Sequence, residues 1–452
     1  MLEVIILAAG EGKRMNSARP KVLQPVGGRP MLQHLVDAAR ELEPAAIRVV
    51  VGAGADQVRA ALDGEGLDWV LQAERRGTGH AAAQALPDVS PDARVLVLPG
   101  DMPLIRAGTL SRLLQRQADL AVLSFVAGDP TGYGRIIRDR GRVVAIREEK
   151  DASDEERRIE EVNSGVLCAG AKDLSAWLDE VGDDNAQGEY YLTDCIGIAA
   201  AAGRAVEAVV ADSADELLGA NDRAQLAGLE RVFQARARGE LMAAGVTLLD
   251  PDSVQVRGPV VSGRDVCIDV NVVLEGRNRF GDEVAIGPGC VIRDCDLAAG
   301  TRVEAMSVLE GVRTTGACSV GPFARLRAGT ELAEGVKVGN FVETKKARLA
   351  AGAKASHLSY IGDADVGEDA NIGAGTITCN YDGVSKHRTV IGRLAFIGSN
   401  SSLVAPVSVG DEATIGAGSV ISGDAPAGQL TLARARQRSV PGWKRPSAGD
   451  KK

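Results

Sequence analysis

Ile391-Gly392-Arg393-Leu394-Ala395-Phe396-Ile397-Gly398-Ser399-Asn400-Ser401-Ser402-Leu403-Val404-Ala405-Pro406-Val407-Ser408-Val409-Gly410-Asp411-Glu412-Ala413-Thr414-Ile415-Gly416-Ala417-Gly418-Ser419-Val420-Ile421 is the stretch that decides the fold. Its aliphatic residues Ile391, Ile397, Leu403, Val409, Ile415 and Ile421 stand six apart. A helix repeats every ~3.6 residues and a strand every two, so a period of six belongs to neither alone. The spacing recurs upstream in Phe280, Ile286 and Ile292, and in Val320, Leu326, Leu332 and Val338. A glycine often follows, as at Gly281, Gly287, Gly321, Gly339, Gly392, Gly398, Gly410 and Gly416.

Each hexapeptide reads as one flat side of a triangular coil, with the aliphatic residue inward and small residues at the corners. Three sides make a coil of roughly 18 residues rising ~4.8 Å, so residues 250–425 predict about ten coils, on the order of 50 Å long. The phase slips between Ile372 and Ile391. An extra residue or a protruding loop is expected there, around Asn380-Tyr381-Asp382-Gly383, and loops are where a solenoid usually carries function.

Before this region the pattern differs. Residues 4–7, 47–51 and 95–98 are short apolar runs, and residues 32–42 and 55–62 between them carry helical spacing. Strand alternating with helix predicts a mostly parallel sheet covered on both faces, with ligands beyond the C-terminal strand ends. From Asp222 to Ala244, Leu226, Leu229, Phe233, Ala237 and Leu241 recur every three or four residues, which predicts one long amphipathic helix closed by Gly245. It is read as a connector, part of which could instead pack on the first domain. The expected division is 1–222, a helical linker 223–245, and 246–452.

Composition sets bounds on function. At 452 residues, two domains are the natural expectation. Glycine is abundant at 54 and aromatics are only 3%, which suits a turn-rich solenoid. A net charge of −9 argues against nucleic acid as partner, although a local basic pocket suffices for a small phosphorylated substrate. No run of 18 apolar residues is present, so no membrane insertion is expected. The seven cysteines, Cys168, Cys195, Cys267, Cys290, Cys295, Cys318 and Cys379, are scattered and lack any C-x-x-C pair. Most are expected to be small buried apolar residues in a reducing cytoplasm.

Leu7-Ala8-Ala9-Gly10-Glu11-Gly12-Lys13-Arg14-Met15 follows the first strand, and Pro20-Lys21-Val22-Leu23 comes soon after. A glycine loop at a strand end turns backbone N–H groups toward phosphates, and Arg14 and Lys21 add charge. Alone, such a loop is as well read as an ordinary strand-to-helix turn. An ordered series of companions changes the odds: Gln72, Gly77-Thr78-Gly79-His80-Ala81, Gly100-Asp101, Tyr133-Gly134-Arg135-Ile136, Glu148, Asn163-Ser164-Gly165 and Asn221-Asp222-Arg223.

This series resembles the sugar-1-phosphate nucleotidyltransferases over the whole first domain. The resemblance is strongest to the uridylyltransferase domain of the bifunctional N-acetylglucosamine-1-phosphate uridylyltransferase / glucosamine-1-phosphate acetyltransferase family. It implies that Leu7, Ala8, Ala9, Gly10, Lys21, Gln72, Gly77 and Thr78 hold UTP, with Arg14, Gly100 and Asn221 also among the residues that bind substrate in this domain. It implies further that Gly134, Glu148 and Asn163 hold N-acetylglucosamine 1-phosphate, and that Asp101 and Asn221 bind Mg²⁺. Asp101 at a strand end could otherwise be a helix cap. An ionised sugar phosphate attacks the α-phosphate itself, so no side-chain nucleophile is needed and His80 is expected to be structural. Two departures stand out: the family usually has Thr where this chain has Lys13, and Tyr where it has Pro99.

The second domain carries Ser356-His357-Leu358-Ser359-Tyr360-Ile361-Gly362-Asp363, Asn371-Ile372-Gly373-Ala374-Gly375-Thr376 and Cys379-Asn380-Tyr381-Asp382-Gly383, with Arg327 and Lys345-Lys346. These resemble the acetyltransferase domain of the same family. The resemblance implies a Rossmann-like α/β nucleotidyltransferase domain followed by an all-β left-handed parallel β-helix, and a homotrimer. Acetyl transfer to an amine needs a base that titrates near neutrality, usually histidine. By resemblance that base is His357, with Arg327, Lys345, Tyr360 and Asn371 on glucosamine 1-phosphate. Ala374, Asn380, Tyr381, Ser399, Ala417 and Arg434 would line the acetyl-CoA groove. The basic tail from Arg434 to Lys452, with Arg436, Arg438, Trp443, Lys444 and Arg445, either grips the coenzyme's phosphates and adenine or is a disordered charged tail.

Three readings compete. In the favoured one, glucosamine 1-phosphate is acetylated and then uridylylated, giving UDP-N-acetylglucosamine in the cytoplasm as precursor for peptidoglycan and lipopolysaccharide. In the second, the chain is a single-function nucleotidyltransferase whose β-helix is only structural. A scaffold with a dead front site would have lost Asp101, Lys21 or Asn221, and all three are present. A covalent relay through Cys379 is the rival to direct acetyl transfer; a packing cysteine is the preferred reading.

Overall fold

The computed structural model describes residues 1–445 of the chain, which form two compact units, Met1–Arg236 and a second beginning at Ala237. The expected roles of residues 446–452 in the basic tail lie outside the described residues.

In the first unit the strands are β1 (Leu2–Ala8), β2 (Ala46–Val51), β3 (Asp68–Leu71), β4 (Arg94–Pro99), β5 (Leu120–Val126), β6 (Arg135–Asp139), β7 (Arg142–Arg147), β8 (Glu161–Gly170) and β9 (Val206–Val210). The sheet runs β9-β5-β8-β4-β1-β2-β3, and the β6–β7 hairpin joins through β8. All neighbours along that path are parallel except β8, which is antiparallel to β4 and β5. Val4, Ile5 and Ile6 are fully buried, pointing alternately into the cores above and below the sheet. Burial of each such side chain contributes ~1.5–3 kcal/mol.

The chain leaves β1 toward β2 and β3 on one side and returns to β4 on the other. The crevice at such a reversal, beyond the strand C-termini, is where open α/β sheets bind ligands.

The helix expected from the three-to-four spacing spans Arg223–Ala243, and Gly245 beyond it has φ 95°. Leu226, Leu229 and Phe233 pack with Met15, Val26, Met31 and Leu104 of the first unit. In the second unit Leu241 joins the core of the solenoid.

That solenoid is a parallel β-helix. One face stacks eleven strands; the others form a continuous ladder of seventeen. Ile268, Ile286, Val303, Val320, Val338, Ala355, Ile372, Ile397 and Ile415 follow one another in register and fill one column of the core. The expected period of 18 holds between Ile397 and Ile415, but Ile286 pairs with Val303 and Val338 with Ala355, one residue short. Dropping a corner residue keeps the inward column intact while breaking the hexad count, which is why the repeat fades between Ile292 and Val320.

Ile372 pairs with Ile397, an offset of 25 residues. The surplus is the loop after Cys379, closed by a bridge between Tyr381 and Lys386 and by the His387 N–H on the Asn380 carbonyl, 2.9 Å. The slip in phase is therefore a protruding loop.

Candidate functional sites

In the first unit a cavity of about 780 Å³ opens at the β1/β4 crevice, a size that suits a small-molecule ligand. Leu7, Ala9, Gly10, Lys21, Gln72, Gly77, Thr78, Asp101, Glu148 and Asn163 all line it. Ala8 is buried in the core behind. Gly100 donates its N–H to Leu7 O (2.9 Å) and ties the two strand ends together. Gly134 accepts the Asn163 N–H at 2.8 Å, and a Cβ there would lie 3.3 Å from Glu148 Oε2. Arg14 is exposed on the turn Lys13–Met15, away from the lining.

Lys21 is the centre of the charge arrangement. Its Nζ donates to Asp101 Oδ2 at 2.5 Å and to Asn221 Oδ1 at 3.1 Å. Two oxygen donors separated by 120 positions in the chain therefore converge on one cation. Gly12, at φ 66°, makes room for this lysine, since a Cβ there would fall 2.6 Å from Lys21 Cβ. Hard oxygen donors from one carboxylate and one amide suit Mg²⁺, which keeps several waters and binds few protein groups. Among the described residues no cluster of three or more His, Cys, Asp or Glu forms a denser metal site.

Burial holds the Glu148 carboxyl above the usual carboxylate range; the Thr193 hydroxyl, donating to Oε1 at 2.9 Å, pulls it back, and Asp194 and Asp151 push it further up. Gln72 donates Nε2 to the Gly77 carbonyl (3.2 Å) and faces His80 Nδ1 at 3.0 Å, so His80 orients Gln72. The remaining front-unit histidine, His34, is held by the Val26 carbonyl at 2.8 Å, with burial lowering its pKa.

Sequence reasoning missed Thr193, and it missed Glu11 and Arg75, which pair across the cavity mouth at 2.8 Å while Lys13 reaches the same carboxylate at 3.2 Å. Nothing in their spacing points to this contact. Pro99 lines the cavity against Gly165, where a Cβ would lie 2.8 Å from Pro99 Cγ.

In the second unit His357 ends the strand Lys354–His357, in register with Asn340 one coil earlier. Its Nδ1 lies 2.6 Å from Asn340 Oδ1. The same edge continues through the next coils: Leu358 O accepts from Gly375, Ala374 O from Asn400 (2.8 Å), Ser399 O from Gly418 (2.8 Å) and Ala417 O from Arg434 Nη1 (2.6 Å). Asn340, His357, Ala374, Ser399 and Ala417 thus form one column, with Arg434 at its end. Asn371 stands beside Lys354 on the neighbouring strand, roughly 10 Å along from the His357 position.

A second ladder explains the basic residues. Arg257, Glu275, Arg293 and Glu310 alternate in sign on consecutive coils. Carrying the register one residue past Arg325 and Leu326 puts Arg327 opposite Lys345, two cations in succession. Lys345 then faces Gly362. The Lys386 ammonium beside it, with Arg327 adding to the effect, lowers the pKa of Lys345. Arg327 leans on Glu343 at 3.1 Å. Asn380 donates to Asp363 Oδ2 at 2.5 Å and reaches the Tyr360 hydroxyl at 3.5 Å. Lys386, Glu343 and Asn340 were missed; a count of one coil back from His357 would have found Asn340.

The other back-unit histidine, His387, is paired with Asp382 at 2.7 Å. Burial pushes the Cys195 thiol to about 12 and those of Cys290 and Cys295 to about 11, so these are packing residues, and all seven cysteines are free. Cys379 is half-buried, its Sγ 3.9 Å from the Ile377 carbonyl. Among the described residues no helix is long and apolar enough to cross a membrane.

The MobA-like NTP transferase domain matches residues 4–164, and the bacterial transferase hexapeptide family, six repeats, matches residues 388–423. The chain is 57% identical over 447 residues to the Bifunctional protein GlmU of Stenotrophomonas maltophilia, covering 98% of each. It is 56% identical to that of Alkalilimnicola ehrlichii, covering 98% of this chain and 96% of the other, and 57% identical to that of Stutzerimonas stutzeri, covering 99% of each. The unbroken match across both units does not favour a purely structural β-helix. The chain belongs to the GlmU family, bifunctional transferases that join a uridylyltransferase to a glucosamine-1-phosphate acetyltransferase and use a nucleotide, sugar phosphates and acetyl-CoA.

Proposed function

We propose that the β-helix acetylates glucosamine 1-phosphate with His357 as general base, and that the first unit then transfers uridylyl from UTP to the product at the Lys21–Asp101–Asn221 cavity. The observation that carries this reading is the column of His357, Ala374, Ser399 and Ala417. A structural solenoid has no need of a base in line with a strip of small residues and a terminal arginine, whereas acetyl transfer needs a base in line with an acyl donor.

In the acetyl site the cation pair Arg327 and Lys345, where charge alternation fails, holds the sugar phosphate as fixed charges. Tyr360 and Asn371 contact the sugar. His357 Nε2 takes a proton from the attacking amine. Ala374, Asn380, Tyr381, Ser399, Ala417 and Arg434 line the acetyl-CoA groove. Transfer is direct, without an acyl-cysteine.

In the uridylyl site Gln72, Gly77 and Thr78 orient the nucleotide, and Gly134, Glu148 and Asn163 orient the N-acetyl sugar phosphate. Asp101 and Asn221 would hold Mg²⁺, and that ion would supply charge neutralisation on the triphosphate and alignment of the leaving pyrophosphate. Lys21 keeps both oxygens in place and adds its own charge beside the α-phosphate.

The same reading includes a homotrimer in the cytoplasm. Met306, Phe323, Phe341 and Leu358 follow one another along a corner, all about half exposed or more, with the two phenyl rings stacked at 5.4 Å. An apolar row of this kind suits packing of copies about a threefold axis.

The test follows thiol release and pyrophosphate release separately, with glucosamine 1-phosphate, acetyl-CoA, UTP and Mg²⁺. His357→Ala is expected to lose only the first signal and Asp101→Ala only the second, when each is given the substrate of the other step. Pyrophosphate release only from preformed N-acetylglucosamine 1-phosphate, with no thiol ever released by the unaltered chain, would overturn the acetyl-site reading.

A further inference from the structure

His357 lies on the exposed edge of the solenoid, and a histidine there is free to rotate and to carry its proton on either ring nitrogen. One contact removes that freedom. Nδ1 faces Asn340 Oδ1 at 2.6 Å, and an amide oxygen can only accept, so Nδ1 carries the hydrogen and donates it. The neutral ring then presents its lone pair at Nε2.

The partner is itself fixed. Asn340 is half-buried, its carbonyl accepts the Leu358 N–H at 3.0 Å, and its strand is in register with the strand of His357. The preceding residue is Gly339, where a Cβ would fall 1.9 Å from the Ser356 carbonyl oxygen. The two coils therefore approach more closely than any side chain at 339 would permit, and that approach sets the Asn340–His357 distance.

We propose that Asn340 is a positioning residue for acetyl transfer, whose side-chain oxygen fixes the tautomer and orientation of His357 so that Nε2 accepts the proton of the sugar amine. When the amine attacks the thioester carbon, a C–N bond forms and the amine proton moves to Nε2; the C–S bond then breaks, the thiolate takes that proton from the ring, and coenzyme A leaves as the thiol with His357 neutral again. While it holds that proton the ring is imidazolium, and its Nδ1–H remains bonded to Asn340. A neutral amide is suited to the task. It orients the ring as a carboxylate would, without the charge that would keep the ring protonated before the reaction begins.

This inference rests on the reading of His357 as base, and the experiment separates the two. Full-length Asn340→Ala, Asn340→Asp and His357→Ala are assayed for thiol release against pH, with glucosamine 1-phosphate and acetyl-CoA. Uridylyl transfer to preformed N-acetylglucosamine 1-phosphate and thermal melting serve as fold controls. Asn340→Ala is expected to lower kcat ~10–100-fold with little change in either KM. Asn340→Asp is expected to keep most of the rate at high pH while the acid limb of the profile moves up by about one unit.

Imidazole nitrogen shifts by NMR should move from a single Nδ1–H tautomer to a mixture in Asn340→Ala. Unaltered kcat, profile and tautomer in Asn340→Ala, beside an inactive His357→Ala, overturn the positioning role alone. Retained acetyl transfer by His357→Ala overturns the base reading and this inference with it. Should Asn340→Ala fail to fold, an unshifted profile in Asn340→Asp overturns the proposal by itself.

Discussion

Arg327 and Lys345 stand on consecutive coils of one ladder, two like charges in succession after a run in which the sign alternates from Arg257 to Glu310. Lys386 crowds the same point and lowers the pKa of Lys345. Like charges set in succession where the ladder otherwise alternates, with Glu343 on Arg327 as a carboxylate partner and Lys386 adding a third cation, mark a place suited to an anion.

Lys345→Ala is therefore expected to raise the KM for glucosamine 1-phosphate ~10–100-fold with a smaller change in kcat, since a charge-assisted contact to the phosphate is lost. The pH dependence has a definite sign. Lys345 loses its proton at lower pH than an ordinary lysine, and a bound phosphate restores it. At a pH between the lowered lysine value and the ordinary one, binding should take up protons at this group, measurable by calorimetry in buffers of different ionisation enthalpy. The uptake should vanish in Lys345→Ala.

At the front site, Asp101→Asn is expected to cut uridylyl transfer on the order of 10²–10³-fold and to raise the Mg²⁺ concentration needed for half-maximal rate. Acetyl transfer should be unchanged. A variant whose Mg²⁺ dependence matches the parent would remove Asp101 as a ligand.

Glu148 offers a trade of stability against binding. Burial raises its pKa, so its ionised form is disfavoured in the folded state. The folded state then binds more protons than the unfolded one, and its stability falls as pH rises from the unfolded carboxyl value through the folded one. Glu148→Gln keeps an oxygen for Thr193 and removes the charge. It is expected to melt higher than the parent at neutral pH and to raise the KM for N-acetylglucosamine 1-phosphate roughly tenfold or more. Thermal melts against pH should show the difference closing as pH falls.

The other charge ladder runs Arg279, Asp296, Arg313, Glu331, Arg348 and Asp365. Arg313→Glu would set a carboxylate between two others and is expected to destabilise the β-helix by ~1 kcal/mol. Urea denaturation at rising salt should shrink the loss, because exposed charges are screened. A loss indifferent to salt would mean that packing, rather than charge, is at stake.

Much was legible in the chain itself. The six-residue spacing from Ile391 to Ile421 fixed a β-helix because a buried column of aliphatic side chains imposes its period directly on the sequence. The glycine loop at residues 10–12 and most of the ordered motifs after it pointed to residues that line the first unit's cavity, because several of them end a strand or open a turn or helix, which short segments specify locally.

Contacts between residues distant in sequence were not legible. Lys21 reaching Asp101 and Asn221, Thr193 on Glu148, Arg75 on Glu11 and Asn340 on His357 are set by which strand ends and which coils lie side by side. Coils one residue short and a loop inserted between Ile372 and Ile397 shift the alignment of rungs by amounts that spacing alone does not reveal. Sequence thus determined the two architectures and the residue types at each site, because periodicity and turn chemistry are properties of short segments. Tertiary structure alone decided which of those residues face one another, because strand register and the reversal at β1 are set only when the whole core packs.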